Sequence, residues 1–149
     1  MTPSRRLLPL ALLATLALSS CEKEELGSPT AATLLDARWM LAQVDDFPVA
    51  AASYSGTAGS YLEFVGLGTC TVGLGPCNNF SGRFTLGGGQ QLALSAPIPT
   101  RVPCPVQDLE NHYLTNLALT ARYEISGEEL RLFDKEKAAP RLVFHRAGK

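Results

Sequence analysis

Residues 80–94 read FSGRFTLGGGQQLAL, and this stretch decides the fold class of the chain. From Phe80 to Leu86 every second residue faces one side, which is the period of a strand with one buried face. Three glycines at 87–89 make a turn, and the alternation resumes at 91–94. The stretch therefore predicts an antiparallel β-hairpin in the middle of the chain.

The same two-residue period recurs on both sides of this hairpin. Together the segments predict a mainly β fold of the α+β type, with seven to eight short strands and one late helix. Hairpins with one buried face favour a small curved antiparallel sheet, or open β-barrel. The further predicted strands lie at 39–44, 61–65, 69–72, 122–125, 130–132 and 142–144.

One segment after residue 105 changes from the strand period to a helical period. Prolines between 97 and 105 end the predicted sheet ahead of this segment, because proline has no backbone N–H to donate to the hydrogen-bond ladder. Pro105 is tolerated in the first helical turn, and Asp108 and Glu110 near the start are favourable for the helix dipole. The apolar stripe of this predicted helix consists of Val106, Leu109, Tyr113 and Leu117.

The composition excludes several classes of protein. Of the 149 residues 46% are hydrophobic and 18% are charged, which favours one folded domain over a disordered chain. The formal net charge of -1 offers no basic face for nucleic acid. No apolar run reaches the roughly 18 residues that a membrane-spanning helix needs. We therefore expect a single domain without a nucleic-acid partner.

The first 20 residues have the pattern of an export signal. Arg5 and Arg6 precede a short apolar stretch at 7–18, and small residues follow before Cys21. The ending LSSC at 18–21 resembles the bacterial lipobox, in which the cysteine is acylated and becomes the first residue after cleavage. The resemblance implies a lipoprotein signal peptide over 1–20 and a lipid on Cys21. An ordinary cleaved signal with an incidental cysteine is the alternative.

Residues 21–33 follow as a lipidated tether. The run EKEE at 22–25 is either a soluble spacer or a signal that sorts lipoproteins to the cell surface. More than one acyl chain makes anchoring stable, since each buried CH₂ contributes about 0.8 kcal/mol. We expect the protein in a bacterial cell envelope, attached by this lipid to a membrane. The outer membrane is favoured, and its periplasmic or surface face stays open.

The order of the motifs resembles the META domain, also called the HslJ-like family. The resemblance covers 34–146 and leaves 147–149 as a tail, and Pro76 and Phe84 depart from the family's usual glycine and tyrosine. The matching segments are WML at 39–41, LEF at 62–64, PCNNFSGRF at 76–84, TRVPC at 100–104, LENHYLTNL at 109–117, YEISGEELRL at 123–132 and LVFHR at 142–146. The motif residues are Trp39, Cys77, Asn78 and Gly82.

The resemblance implies a small open β-barrel with one helix packed across its opening. Members of the family are often exported lipoproteins or envelope proteins, and some are linked to heat or antibiotic stress. No enzymatic reaction is established for the family. We therefore expect no enzyme activity, no catalytic residues and no cofactor.

Three cysteines remain beyond Cys21. The resemblance implies a disulfide between Cys77 and Cys104, and a bridge between Cys70 and Cys77 is the rival. Cys70 is then expected to be a buried thiol on a strand face. A zinc site from these cysteines and His112 is disfavoured, because no close Cys-x2–4-Cys pair exists. We expect no metal.

The other polar candidates have structural interpretations. Asn78 is expected to bond the backbone of its own turn, and the glycine-rich pieces at 66–68 and 73–75 are expected to be hairpin turns. Trp39 is expected in the core. His112 is expected to be a solvated helix residue, since no Ser/His/Asp or Cys/His arrangement is recognisable.

These observations favour a binding protein over an enzyme. The expected partners are the membrane, reached through the lipid on Cys21, and either an envelope protein or an apolar small ligand in the barrel mouth. An enzyme with an unrecognised site is one alternative. A structural stress protein without a specific ligand is the other.

Overall fold

The computed structural model describes residues 33–35, 37–49, 59–66 and 70–148. The predicted signal peptide at 1–20, the lipidation of Cys21 and all but the last residue of the tether lie outside the described residues. Within the described ranges, no helix has both the length and the apolar character to span a bilayer.

The described part of the chain forms eleven strands and one long helix. A helical segment at 33–35 precedes the first strand. In chain order the elements are β1 (Arg38–Val44), β2 (Phe47–Pro48), β3 (Tyr61–Val65), β4 (Cys70–Leu74), β5 (Asn79–Gly82), β6 (Phe84–Leu86), β7 (Leu92–Leu94), β8 (Ile98–Pro99), α1 (Gln107–Leu119), β9 (Arg122–Ser126), β10 (Glu129–Phe133) and β11 (Leu142–Arg146).

The main sheet is antiparallel throughout and runs in the order β8-β5-β4-β3-β1-β11-β10-β9, with β2 paired to β1. β6 and β7 form a separate two-stranded sheet. A bridge between Gln91 and Arg122 links this hairpin to β9, and the Leu92 N–H donates to the Ala121 carbonyl oxygen at 3.1 Å. The sheet curves without closing, which confirms the predicted open, mainly β fold with one late helix.

The strand predicted at 80–86 is divided at Arg83. The N–H of Arg83 donates to the Ser95 hydroxyl, and its carbonyl oxygen accepts from the Ser95 N–H, both at 2.9 Å. The chain therefore leaves β5 and pairs with β7 instead of continuing along β4. The two-residue β8 lies at the sheet edge, where Pro99 is tolerated because no strand lies beyond it on the sheet path.

Two local predictions are wrong. The helix begins at Gln107, so Pro105 precedes it and does not lie in its first turn. Gly73 lies inside β4 and not in a hairpin turn. A Cβ at Gly73 would lie 2.5 Å from the Phe80 ring and 2.3 Å from the Tyr61 carbonyl oxygen, so the close approach of these neighbours requires glycine.

Side chains fill the interior between the sheet and α1. Tyr113 and Leu117 enter it from the helix, and Tyr113 contacts the rings of Phe80 and Phe144 edge-on at 5.7 and 6.4 Å. Trp39 is fully buried, and its indole N–H donates to the Leu34 carbonyl oxygen at 3.1 Å. The helix therefore closes a packed core at the opening of the curved sheet. The core also contains Leu41, Val44, Leu62, Phe64, Phe84, Leu92, Tyr123, Leu130, Leu132 and Leu142.

Candidate functional site

A disulfide joins the turn between β4 and β5 to the segment that leads into α1. It connects Cys77 with Cys104, whose Cα atoms are 5.8 Å apart and which are 27 positions apart in sequence. This is the pairing that the family resemblance implies, and it excludes the rival bridge from Cys70 to Cys77. The disulfide therefore holds the 100–104 segment against the sheet.

Asn78 fastens the same segment by hydrogen bonds. Its side chain is buried, and its Oδ1 accepts from the Thr100 hydroxyl and from the Val102 N–H, both at 2.9 Å. Its Nδ2 donates to the Val102 carbonyl oxygen at 3.4 Å. The prediction that Asn78 bonds its own turn is wrong, because its partners lie 22 to 24 positions further along the chain.

Glu110 holds the helix to this turn from the other side. Glu110 is only 1% exposed. Its carboxylate accepts hydrogen bonds from the N–H groups of Cys77 at 3.0 Å and Asn78 at 3.2 Å. Burial raises the pKa of Glu110, and the hydrogen bonds from these N–H groups and from the Asn78 amide oppose the rise without cancelling it.

A glycine makes room for the buried carboxylate. A Cβ at Gly75 would lie 2.6 Å from Oε2 of Glu110, so a larger residue there would displace the acid. Our sequence analysis missed this role and interpreted Glu110 as a favourable charge near the helix start. A signal was present, because Glu110 lies three and seven positions before Tyr113 and Leu117, on the buried stripe of the helix.

A surface cleft of about 290 Å³ lies between the 99–103 segment and the first turns of α1. We call it the α1 cleft. Asn78 and Glu110 line it together with helix residues Gln107, Asn111 and Leu114. The disulfide, Asn78 and Glu110 fix both of its walls, so the cleft has a defined shape without a ligand.

A second polar group lies near the other end of α1. Arg141 donates to Asp134 at 2.7 Å and to Asp45 at 3.2 Å, and Asn116 of the helix donates to Asp45 at 3.0 Å. Asp45 has a φ of 49°, a left-handed conformation that Asp tolerates in a tight turn. We call Arg141, Asp45, Asp134 and Asn116 the Arg141 cluster.

The charges of this cluster are paired, and the carboxyl pKa values fall accordingly. The N–H groups of Lys137 and Glu136 and the Arg141 guanidinium lower the pKa of Asp134 to about 2, against a smaller rise from burial. Burial acts to raise the pKa of Asp45, but hydrogen bonds from Asn116 and Arg141 outweigh it and lower the pKa.

The remaining sequence candidates lie apart from the α1 cleft. The His112 side chain is 67% exposed, with its Nδ1 3.8 Å from Asp45 Oδ2. Cys70 is exposed at the start of β4, so the prediction of a buried thiol is wrong. The alternation of β4 turns Thr71 and Gly73 inward and therefore turns Cys70 outward.

The structure thus brings together only part of the predicted motif. Asn78 lines the α1 cleft, and the neighbouring Cys77 is bonded to Cys104, whereas Trp39 lies in the core and Gly82 ends β5. Within the described ranges, no three His, Cys, Asp or Glu residues are grouped so that they could hold a metal ion.

The comparisons with known proteins agree with this arrangement. A family model described as the META domain matches residues 32–148. The chain belongs to the META domain family. Its META domain therefore includes the whole curved sheet, α1 and the α1 cleft.

Solved structures share the fold of this META domain. One, a protein of Burkholderia xenovorans determined by NMR, is 21% identical with a TM-score of 0.59, over 99% of this chain and 100% of its own. A second NMR structure is 24% identical with a TM-score of 0.58, over 76% of this chain and 92% of its own. The search of curated proteins found no match.

Proposed function

We propose that this protein is a lipid-anchored component of a bacterial cell envelope whose META domain acts by binding and not by catalysis. The anchor is supported by the LSSC ending at 18–21, which follows a basic head and a short apolar stretch. The binding role is supported by the α1 cleft. The proposed location is the outer membrane, to which the lipid on Cys21 attaches the protein.

The contacts of Glu110 favour binding over catalysis in this cleft, because its carboxylate has a structural role. Glu110 uses its carboxylate on the N–H groups of Cys77 and Asn78, and it has no cation or nucleophile as a partner in the described part of the chain. General acid–base catalysis needs such a group within hydrogen-bond reach of a substrate proton. A carboxylate that already accepts from two backbone N–H groups stabilises the wall of the cleft.

The barrel mouth is a less favourable place for a ligand. Tyr113 and Leu117 are fully packed there against the sheet, and an apolar ligand would have to displace them. The α1 cleft is open to solvent and already formed. We therefore propose the α1 cleft, and not the interior, as the binding site.

Metabolic labelling with an alkyne analogue of palmitate tests the anchor in a bacterial host. We expect label on the wild-type protein and on the matched variant Cys70→Ser, and none on Cys21→Ser. Detergent, but not high salt, should release the labelled protein from membranes. Label that persists on Cys21→Ser, or an unlabelled wild type, would contradict the anchor.

Site-directed photocrosslinking in cells tests the binding role. A photoreactive residue at Asn111, which lines the α1 cleft, should form discrete adducts. The same residue at Glu128, which is exposed in the turn between β9 and β10, is the control and should form none. Equal labelling from both positions would argue against the cleft. Turnover of any substrate that Glu110→Gln abolishes in a folded protein would replace binding with catalysis.

A further inference from the structure

The arginines of the described residues divide into two groups. Most pair with a carboxylate at 3.2 Å or less: Arg38, Arg122, Arg131, Arg141 and Arg146. Arg83 and Arg101 are exposed and have no carboxylate partner in that part of the chain. Of these two, Arg101 lines the α1 cleft, and Arg83 does not. The Arg101 guanidinium is therefore available to an acid from outside the chain.

Other donors surround the same space. Gln107, the first residue of α1, lines the cleft, and no side chain caps this end of the helix. The Gln107 amide donates to the Asn111 Oδ1 at 3.0 Å, which leaves the Asn111 amino group as a donor. Gln107 and Asn111 thus bring amide groups to the cleft beside Arg101, while the carboxylate of Glu110 is already bonded to two N–H groups.

Four residues of the lining are apolar. Val102 is 60% exposed at the cleft, so its side chain is open to contact with a ligand there. Pro99, Pro103 and the half-buried Leu114 complete this side. A ligand that fits both halves carries an acidic group at one end and a short apolar body at the other.

The charge of Glu110 limits which acid can bind. Glu110 lies in the cleft wall without a cation as partner, so its carboxylate, when ionised, repels a doubly charged ligand such as phosphate more than a singly charged one. A single carboxylate can form two parallel hydrogen bonds with a guanidinium and brings less charge. The volume of about 290 Å³ is at the low end for small-molecule sites, so the ligand is small.

We infer that the α1 cleft binds a small organic monocarboxylate, with Arg101 on the carboxylate and Val102 and Leu114 against the apolar body. This inference rests on the proposed binding role, but it does not need the lipid anchor. The disulfide and Asn78 fix the Val102 wall before the ligand arrives, which lowers the entropic cost of binding.

NMR titration of the full-length protein in detergent tests this site with three probes: hexanoate, acetate and inorganic phosphate. We expect saturable shifts at Arg101, Gln107 and Asn111 with hexanoate, and affinity at least about tenfold weaker with the other two probes. Arg101→Gln should weaken hexanoate binding at least about tenfold. Arg83→Gln removes the other arginine without a carboxylate partner, and it should change nothing.

Three results would overturn the inference. They are hexanoate that binds no better than acetate, phosphate that binds better than both, and equal effects of Arg101→Gln and Arg83→Gln. An amide spectrum that stays dispersed in each variant shows that a loss is not unfolding. The palmitate labelling above can fail while hexanoate binds, and the reverse, so the two proposals are tested separately.

Discussion

Polar contacts hold α1 at both ends, but they differ in charge: a carboxylate without a cation near the first turn, and a paired carboxylate near the last. Near the first turn, Glu110 is buried without a cation and accepts from two backbone N–H groups. Near the last turn, Asn116 donates to Asp45, whose charge is shared with Arg141. We call Glu110, Asn78 and the Cys77–Cys104 disulfide the Glu110 cluster, and compare it with the Arg141 cluster.

The difference shows that a buried carboxylate can keep a raised pKa although it accepts hydrogen bonds. The pKa of Glu110 is raised although it accepts from Cys77 and Asn78, because burial outweighs those bonds. The pKa of Asp134 falls to about 2, because two backbone N–H groups act together with the Arg141 guanidinium. The two clusters therefore respond to pH in opposite directions.

Removal of the disulfide should give the largest effect, because it breaks the covalent part of the Glu110 cluster. The double variant Cys77→Ser, Cys104→Ser should lower the free energy of unfolding by about 3–4 kcal/mol, from the loop entropy of a cross-link across 27 positions. Urea unfolding measures it. Cys70→Ser, at an exposed position, is the matched control and should change stability by less than about 0.5 kcal/mol.

Loss of the buried carboxylate should rank second. Glu110→Ala leaves the N–H groups of Cys77 and Asn78 without their acceptor, at a cost of about 2–3 kcal/mol. Asp108→Ala changes an exposed acid in the same helical turn and should cost less than about 0.5 kcal/mol. Similar costs for the two variants would show that Glu110 acts only through the helix dipole.

The pH dependence should separate the two clusters by sign. The lowered pKa of Asp134 adds stability that is present above its unfolded value of 3.8 and is lost as pH falls towards about 2. The raised pKa of Glu110 does the reverse: its contribution is present below 4.5 and is lost as pH rises through the raised value.

Urea unfolding of Asp134→Asn and Glu110→Gln between pH 2 and pH 7 measures this sign. The cost of Asp134→Asn should be about 1–2 kcal/mol at pH 6 and should shrink towards pH 2. The cost of Glu110→Gln should be largest at low pH and should shrink as pH rises. Costs that change in the same direction would remove the distinction between the clusters.

The smallest effect should come from His112, which is exposed and lies beside the Arg141 cluster. His112→Ala removes an imidazole 3.8 Å from Asp45, which keeps its bonds to Arg141 and Asn116. Thermal unfolding should show a loss below about 0.5 kcal/mol at pH 5 and at pH 8. A loss above about 1 kcal/mol at pH 5 would make His112 part of the cluster.

Local periodicity was enough to predict the sheet, the helix and the open shape. The alternation at 80–94 predicts β6 and β7, and the four-residue spacing of Tyr113 and Leu117 predicts the buried face of α1. These features depend on neighbours a few positions apart, which a single sequence contains. The pairing of Cys77 with Cys104 came from the family resemblance and not from the residues themselves.

The tertiary structure alone decided which polar groups are buried and what they bond. Asn78 and Val102 are 24 positions apart, and Asp45 and Arg141 are 96 positions apart, so no local pattern could join them. The helical stripe allows Glu110 to face the core, but no local pattern predicts the groups that its carboxylate bonds. Its burial depends on the Cys77 turn, which presents two N–H groups only when β4 and β5 are paired.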